Sequence, residues 1–181
     1  MDDSTSDALY ESRRELLSGL EGWALRGRLA VSDEKDGGSG TLRWQQSAGD
    51  NRLDFHGALG RGAWVLESDD ESARLQMADG RVYKDRSLKG LVESQLGWSV
   101  PVDDLSWWVR GLEAPGGTDQ RNMGEDGELT ELKQSGWVIE FTRYREHSGV
   151  LLPGKLVARQ DDKTVKLAVR EWILDRENNG N

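Results

Sequence analysis

The spacing of apolar residues changes at about residue 22. Across residues 7–20, DALYESRRELLSGL, the leucines Leu9, Leu16, Leu17 and Leu20 recur at helical intervals, and Gly19 and Gly22 punctuate the end. An amphipathic N-terminal helix is predicted. In GWALRGRLAV the period becomes two, with Trp23, Leu25, Leu29 and Val31 on one side and Arg26 and Arg28 on the other. That is the pattern of a half-buried strand. DEKDGGSG, residues 33–40, predicts a solvated hairpin loop. Leu42 and Trp44, then Leu53 and Phe55, alternate with polar residues across the turn SAGDN. GAWVLE, SARLQM and RVYK continue the alternation, with Asp79-Gly80 marking a tight hairpin. The first half therefore predicts an antiparallel meander of about six strands.

Helical spacing returns once. SLKGLVESQLG, residues 87–97, carries Leu88, Leu91, Val92 and Leu96, with Ser87 as N-cap and Gly97 as stop. A second short helix is predicted from near Pro101, with Asp103 and Asp104 in its first turn and Leu105, Trp108, Val109 and Leu112 as its apolar face. From about residue 119 the strand pattern resumes through ELTELKQ, WVIEFTRYRE, GKLVARQ and TVKLAVREWIL, about four more strands. In the last of these, Val165, Leu167 and Val169 face one way and Lys166 and Arg170 the other. Helices do not alternate with strands, which argues against a parallel α/β sheet. The expected class is mainly β with helices (α+β), a single curved antiparallel sheet that curls on itself and uses the insert, residues 86–112, as a cover. Residues 1–21 are expected to form a tether and helix packed on the domain, residues 22–175 the domain itself, and residues 176–181 a tail.

Composition narrows the chemistry. The chain has 181 residues, enough for one substantial domain, and its eight tryptophans argue for a folded core despite 31% charged residues. A net charge of −9 without a basic stripe argues against nucleic acid as a partner. No apolar run approaches a membrane span of roughly 18 residues, and the chain as given opens on no apolar leader. There is no cysteine, so disulfides, thiol nucleophiles and thiolate metal sites are excluded. His56 and His147, the only histidines, lie in neither an HExxH pattern nor a nucleophile elbow. Asp103-Asp104 fits a helix start and Asp161-Asp162 a turn, so neither reads as an acid–base pair. The glycines of GALGRG lack the following helix that a phosphate loop requires. No catalytic residue, metal or cofactor is expected. The tryptophans serve mostly as core, and the remainder favour a ring-lined cavity for an apolar ligand. Adjacent Trp107 and Trp108 cannot share one side of a helix.

One stretch does not fit a plain meander: HGALGRG, residues 56–62, sets Leu59 in what should be a polar turn. Taken in order with RGRLAV, LRWQQ, DGRVY, LGWSVPV, WWVRGL, APG, LKQSGW and VREWIL, it resembles the LolB family of outer-membrane lipoprotein receptors of Gram-negative bacteria. The likeness runs from Trp23 nearly to the C-terminus. It implies an incomplete β-barrel with a helical lid over a hydrophobic cavity, in agreement with the pattern above, and no catalysis. It further implies that acylated lipoproteins are accepted from the periplasmic carrier LolA, held by their acyl chains, and placed in the inner leaflet of the outer membrane by a monomeric receptor. By the same likeness, Gly57, Ala58, Leu59 and Gly60 form the membrane-insertion loop. The candidate acyl-chain residues are Leu25, Leu29, Leu42, Trp44, Leu53, Phe55, Leu66, Leu105, Trp108 and Leu112.

Three positions depart from prolines usual in the family: Ala58, Ser99 and Glu113. They are expected to relax local stiffness without removing a contact. The family is anchored by a lipidated N-terminal cysteine on the periplasmic face of the outer membrane; none is present here. Either the given sequence starts after it, with Met1 in place of the mature first residue, or the chain is a soluble relative, and the first is the expectation. Two other readings remain: a LolA-like soluble carrier, which needs no membrane-touching leucine, and a lipid-binding barrel of other function. An enzyme acting on lipid would need a nucleophile beside a positioned base, which two scattered histidines do not provide.

Overall fold

The computed structural model describes residues 3–58 and 62–175. Helix α1 (Asp3–Ser18) precedes six strands: β1 (Gly22–Ser32), β2 (Gly37–Ser47), β3 (Asp50–Gly57), β4 (Trp64–Ser68), β5 (Ala73–Met77) and β6 (Val82–Asp85). The insert follows as α2 (Leu88–Leu91), one π-helical turn (Val92–Leu96) and α3 (Val102–Trp108). Seven strands complete the chain: β7 (Gln120–Met123), β8 (Leu129–Gln134), β9 (Trp137–Thr142), β10 (Arg145–His147), β11 (Val150–Leu152), β12 (Lys155–Gln160) and β13 (Lys163–Asp175).

Eleven strands form one antiparallel sheet in the order β6-β5-β4-β3-β2-β1-β13-β12-β9-β8-β7, and β10 and β11 pair separately as a small hairpin. The sheet does not close, because β6 and β7 remain as its two edges. The first and last strands pair at its centre, so the chain must pass from one edge to the opposite edge between β6 and β7. The insert makes that passage. Inward side chains from both halves of the sheet join those of α2, the π-helical turn and α3 in a single apolar core.

The caps follow the sequence. Ser87 accepts a hydrogen bond from Gly90 N–H at 3.0 Å, and Gly97 ends the π-helical turn in the left-handed region. Leu105, Trp108, Val109 and Leu112 are all buried, but the helix ends at Trp108 and Leu112 lies beyond it, because Gly111 turns the chain at φ 70°.

Three expectations need correction, and β13 carries a feature that its own spacing does not show. The loop predicted over residues 33–40 spans only 33–36, since the glycines that follow pair with β1 as the start of β2. The second half holds seven strands rather than four, because turns as short as Arg143-Tyr144 and Ser148-Gly149 cut the long polar–apolar runs. Helix α1 buries Tyr10, Arg13 and Leu17, whereas Leu9 and Leu16 are 43% and 42% exposed; the surface it meets offers carbonyls and a carboxylate, which favours a polar face. Finally, Val169 ends the inward series of β13. Arg26 pairs with Glu171 but Gly27 pairs with Val169, which leaves Arg170 as an unpaired extra residue. The phase flips there. Trp172 rather than Glu171 enters the core, and Gly27 permits the close approach, since a Cβ at that position would overlap the Ala168 carbonyl oxygen.

Candidate ligand site beneath the insert

The space between the sheet and the insert is lined by apolar side chains alone. Leu29 and Val31 of β1, Leu42 and Trp44 of β2, Leu53 of β3, Trp64 and Leu66 of β4 and Val165 of β13 form its floor. Val92, Leu96, Trp98, Val100, Val102 and Leu105 form its roof. Its volume is about 30 Å³, room for roughly one or two water-sized groups. In place of the open cavity expected from the sequence, the side chains of floor and roof fill the space in this conformation.

Six of the ten candidate residues line this space: Leu29, Leu42, Trp44, Leu53, Leu66 and Leu105. The other four are buried beside it. Phe55 stacks on Trp64 at 5.2 Å with the Trp98 ring edge-on at 5.7 Å. Leu25 lies between Trp44 and Trp172 in the strand register. Trp108 approaches Trp137 at 6.4 Å, and Leu112 is fully enclosed. The residues passed over, notably Trp64 and Trp98, carried a weak signal; Trp64 shares the alternation of Leu66, whereas Trp98 lies between the two helical segments and belongs to neither pattern.

A second depression of about 70 Å³ shares Val31, Leu96, Trp98, Val100 and Val165 with the first and is bordered by Ser32, Asp33, Asp36, Lys163 and Thr164. It gives the apolar space a polar mouth. Asp33 is held below the usual carboxylate range by the Lys35 and Asp36 N–H groups, which donate to it at 2.8 Å.

Three polar side chains seat the insert. Gln134 of β8 is 1% exposed; its Oε1 accepts from Trp108 Nε1 at 2.8 Å and Ala114 N–H at 2.9 Å, while its Nε2 donates to the Ala114 and Gly117 carbonyls at 2.7 and 2.9 Å. Arg110 donates through Nε to the Ser106 carbonyl at 3.0 Å, and its guanidinium lies 4.7 Å from the Trp107 ring and 5.5 Å from that of Trp23. Burial pulls the Arg110 pKa down to about 10, so it stays cationic at neutral pH. Arg13 of α1 donates to the Arg110 and Gly111 carbonyls at 2.9 and 2.8 Å. Sequence reasoning missed all three roles. Gln134 alone left a trace, as a polar residue at an inward strand position.

Elsewhere the candidates do not converge. His56 is exposed on β3 and His147 lies on the separate hairpin. Asp103 and Asp104 occupy the first turn of α3, and Asp161 sits in the β12–β13 turn. Among the described residues no three histidine, aspartate or glutamate side chains gather as a metal site, and no helix is long and apolar enough to cross a membrane. Of the predicted insertion loop, Gly57 closes β3 and Ala58 is exposed, while Leu59 and Gly60 lie outside the described residues. Beyond them Gly62 takes φ 76°, with no atom within 4 Å of where a Cβ would stand. Ser99 is also exposed, but Glu113 adds contacts rather than only relaxing the chain. Its N–H, which a proline would lack, donates to the Tyr10 hydroxyl at 2.9 Å, and its carboxylate meets Arg121 at 3.0 Å.

An open antiparallel sheet crossed on its apolar face by a short helical insert is a fold that this chain shares with solved structures of very different sequence. A LolA superfamily protein from Nitrosomonas europaea superposes with a TM-score of 0.53 at 9% identity, over 96% of this chain and 94% of that one. A putative outer membrane lipoprotein-sorting protein domain from Vibrio parahaemolyticus gives a TM-score of 0.60 at 8% identity, over 99% and 94%. Within that class, the family model for the outer membrane lipoprotein LolB matches residues 21–172. The outer-membrane lipoprotein LolB of Pseudomonas aeruginosa is 38% identical over 90% of this chain and 80% of its own length, and that of Pseudomonas fluorescens 36% over 92% and 81%. This chain belongs to the LolB family.

Gln134 provides a direct test of how the insert is seated. Gln134→Leu strands the Trp108 and Ala114 donors and should destabilise the fold by about 2–6 kcal/mol, since each buried unsatisfied group costs about 1–3 kcal/mol. Trp108→Phe in the same background removes one stranded donor, so urea denaturation should show the two substitutions costing less together than their sum. Strict additivity would mean that the bond does not seat the helix.

Proposed function

We propose that this protein is an outer-membrane lipoprotein receptor: it accepts acylated lipoproteins from the periplasmic carrier LolA, shelters their acyl chains beneath the insert, and releases them into the inner leaflet of the outer membrane. The observation that carries this reading is the wholly apolar space with a polar mouth. Such a site offers an acyl chain contact along its length and offers polar chemistry only where the lipid meets its peptide. The reading involves no covalent step, metal or cofactor. It places the protein on the periplasmic face of the outer membrane, with residues 1–21 serving as the tether and its packed helix, and treats it as a monomer.

The energetics favour exchange over simple opening. Lifting the insert into water would expose Leu105, Val109 and Leu112 at about 1.5–3 kcal/mol each, whereas an acyl chain sliding beneath it replaces those contacts and gains about 0.8 kcal/mol per methylene. The ligand therefore stabilises the state that admits it. Because the chain has no native cysteine, a disulfide between Val100→Cys in the roof and Val165→Cys in the floor can be made without competing thiols. The oxidised protein should fold normally yet fail to take up an environment-sensitive fatty-acid probe, and reduction should restore uptake. The reduced protein should favour longer chains over shorter ones. Normal uptake while oxidised would remove the insert from the role of lid.

Delivery is assigned to Leu59. One leucine entering the acyl boundary is worth roughly 1.5–3 kcal/mol, enough for transient contact and too little for anchoring. Leu59→Asp should leave the melting temperature and cargo uptake near those of the parent and abolish transfer to liposomes, because burying a carboxylate is costly. Transfer at the parent rate would make Leu59 an ordinary loop residue, and would favour the soluble-carrier reading.

A further inference from the structure

Helix α3 ends in a Schellman turn. Leu112 N–H donates to the Trp107 carbonyl at 3.2 Å and Gly111 N–H to that of Trp108 at 2.8 Å, with Gly111 at φ 70°. The carbonyls of Arg110 and Gly111 then point away from the helix they terminate. One side chain from the far end of the sequence takes both: Arg13 Nη1 donates to Arg110 and Nη2 to Gly111, at 2.9 and 2.8 Å. Arg13 is only 8% exposed, and its Nε has no hydrogen-bond partner. It forms no ion pair among the described residues and lies between the rings of Tyr10 and Tyr144, at 5.6 and 5.8 Å. A guanidinium buried without a carboxylate is an expensive way to hold down a surface helix. Leucine would serve that purpose better.

The neighbouring bonds reach the same short segment. The Tyr10 hydroxyl accepts from Glu113 N–H and donates to its carboxylate at 3.3 Å. Arg121 holds that carboxylate through Nη1 and Asp7 of α1 through Nη2, at 3.0 and 2.8 Å. Gly111 has no room for a side chain, since a Cβ there would stand 2.7 Å from the Tyr144 hydroxyl and 3.0 Å from Arg13 Nη1. Residues 110–113 are where the insert leaves α3 for β7, so any swing of α3 off the sheet must turn the backbone there.

We propose that Arg13 is a positioning residue that latches the closed insert, and that the insert opens only when Arg13 releases the Arg110 and Gly111 carbonyls. Helix α1 thereby couples the N-terminal end of the chain to the site: a pull or reorientation of α1 changes how readily the insert lifts. What passes beneath the insert rests on the receptor reading above; the latch itself rests on these bonds.

The test compares Arg13→Met, Arg13→Lys and Tyr10→Phe in the full chain, using two measurements. The first is amide hydrogen exchange over residues 102–112 without ligand; the second is the uptake and release rate of a fluorescent fatty-acid probe. In Arg13→Met, exchange over residues 102–112 should rise by about tenfold or more, the factor that about 1.4 kcal/mol supplies, while β1, β2 and β13 keep their protection. Probe uptake and release should accelerate in parallel, and Arg13→Lys should recover part of the parent behaviour. Exchange that is unchanged, or that rises equally in insert and sheet, would overturn the latch. Should Arg13→Met fail to fold, Tyr10→Phe decides by the same comparison. If the parent protein binds no probe, the receptor reading fails while the exchange measurement still decides the latch.

Discussion

An open antiparallel sheet with one apolar face must bury that face against something other than itself, and here its two free edges are far apart in the strand order. The chain resolves both problems with one segment. Because β6 and β7 are opposite edges, the connection between them has to cross, and it crosses the apolar face as α2, a π-helical turn and α3. The cover is thus a consequence of topology rather than an appendage. Unlike the sheet, it is held by apolar packing, a few polar bonds and ring contacts rather than by a continuous hydrogen-bond ladder.

A closed layer of side chains with about 30 Å³ left between them is stable without ligand, yet every surface of it is one that hydrocarbon can replace. Trp98 packs edge-on against Phe55 and Trp64 at the mouth, where a ring can turn aside more readily than a backbone. Gln134 and Arg110 hold the far end of α3, so in the proposed exchange the mouth end is the side that lifts. Arg13 ties the end of α3 to α1, and Ala58, where the proposed insertion loop begins, is exposed at the end of β3.

Much of this was legible in the sequence because it is written in local spacing. The meander of β1–β6 follows from strict alternation, and the bounds of the insert follow from Ser87, Gly97 and the face of Leu105, Trp108, Val109 and Leu112. What escaped depends on partners distant in sequence. The bulge at Arg170 exists only in the pairing of β13 with β1, so alternation read along β13 alone loses phase and leaves Trp172 unplaced. Leucine spacing selected Leu9 and Leu16 for the buried face of α1, whereas the carbonyls at the end of α3 selected Arg13 and Tyr10. Gln134 is buried because Trp108 and Ala114 need an acceptor. The lining of the apolar space was partly legible for the same reason: its floor lies on alternating strands, but Trp98 in its roof belongs to no repeating pattern.

The central claim is that hydrocarbon enters between the insert and the inner face of the sheet. Co-crystallisation with a triacylated lipopeptide carrying brominated acyl chains tests it most directly, because anomalous scattering locates the bromine atoms without assumptions about the rest of the ligand. The account predicts bromine positions enclosed by Leu29, Trp44, Leu53 and Leu66 below and Leu105 above, with Trp98 displaced from Phe55. Bromines found only on the outer face of the sheet, with the insert still packed on Trp44 and Leu66, would contradict it.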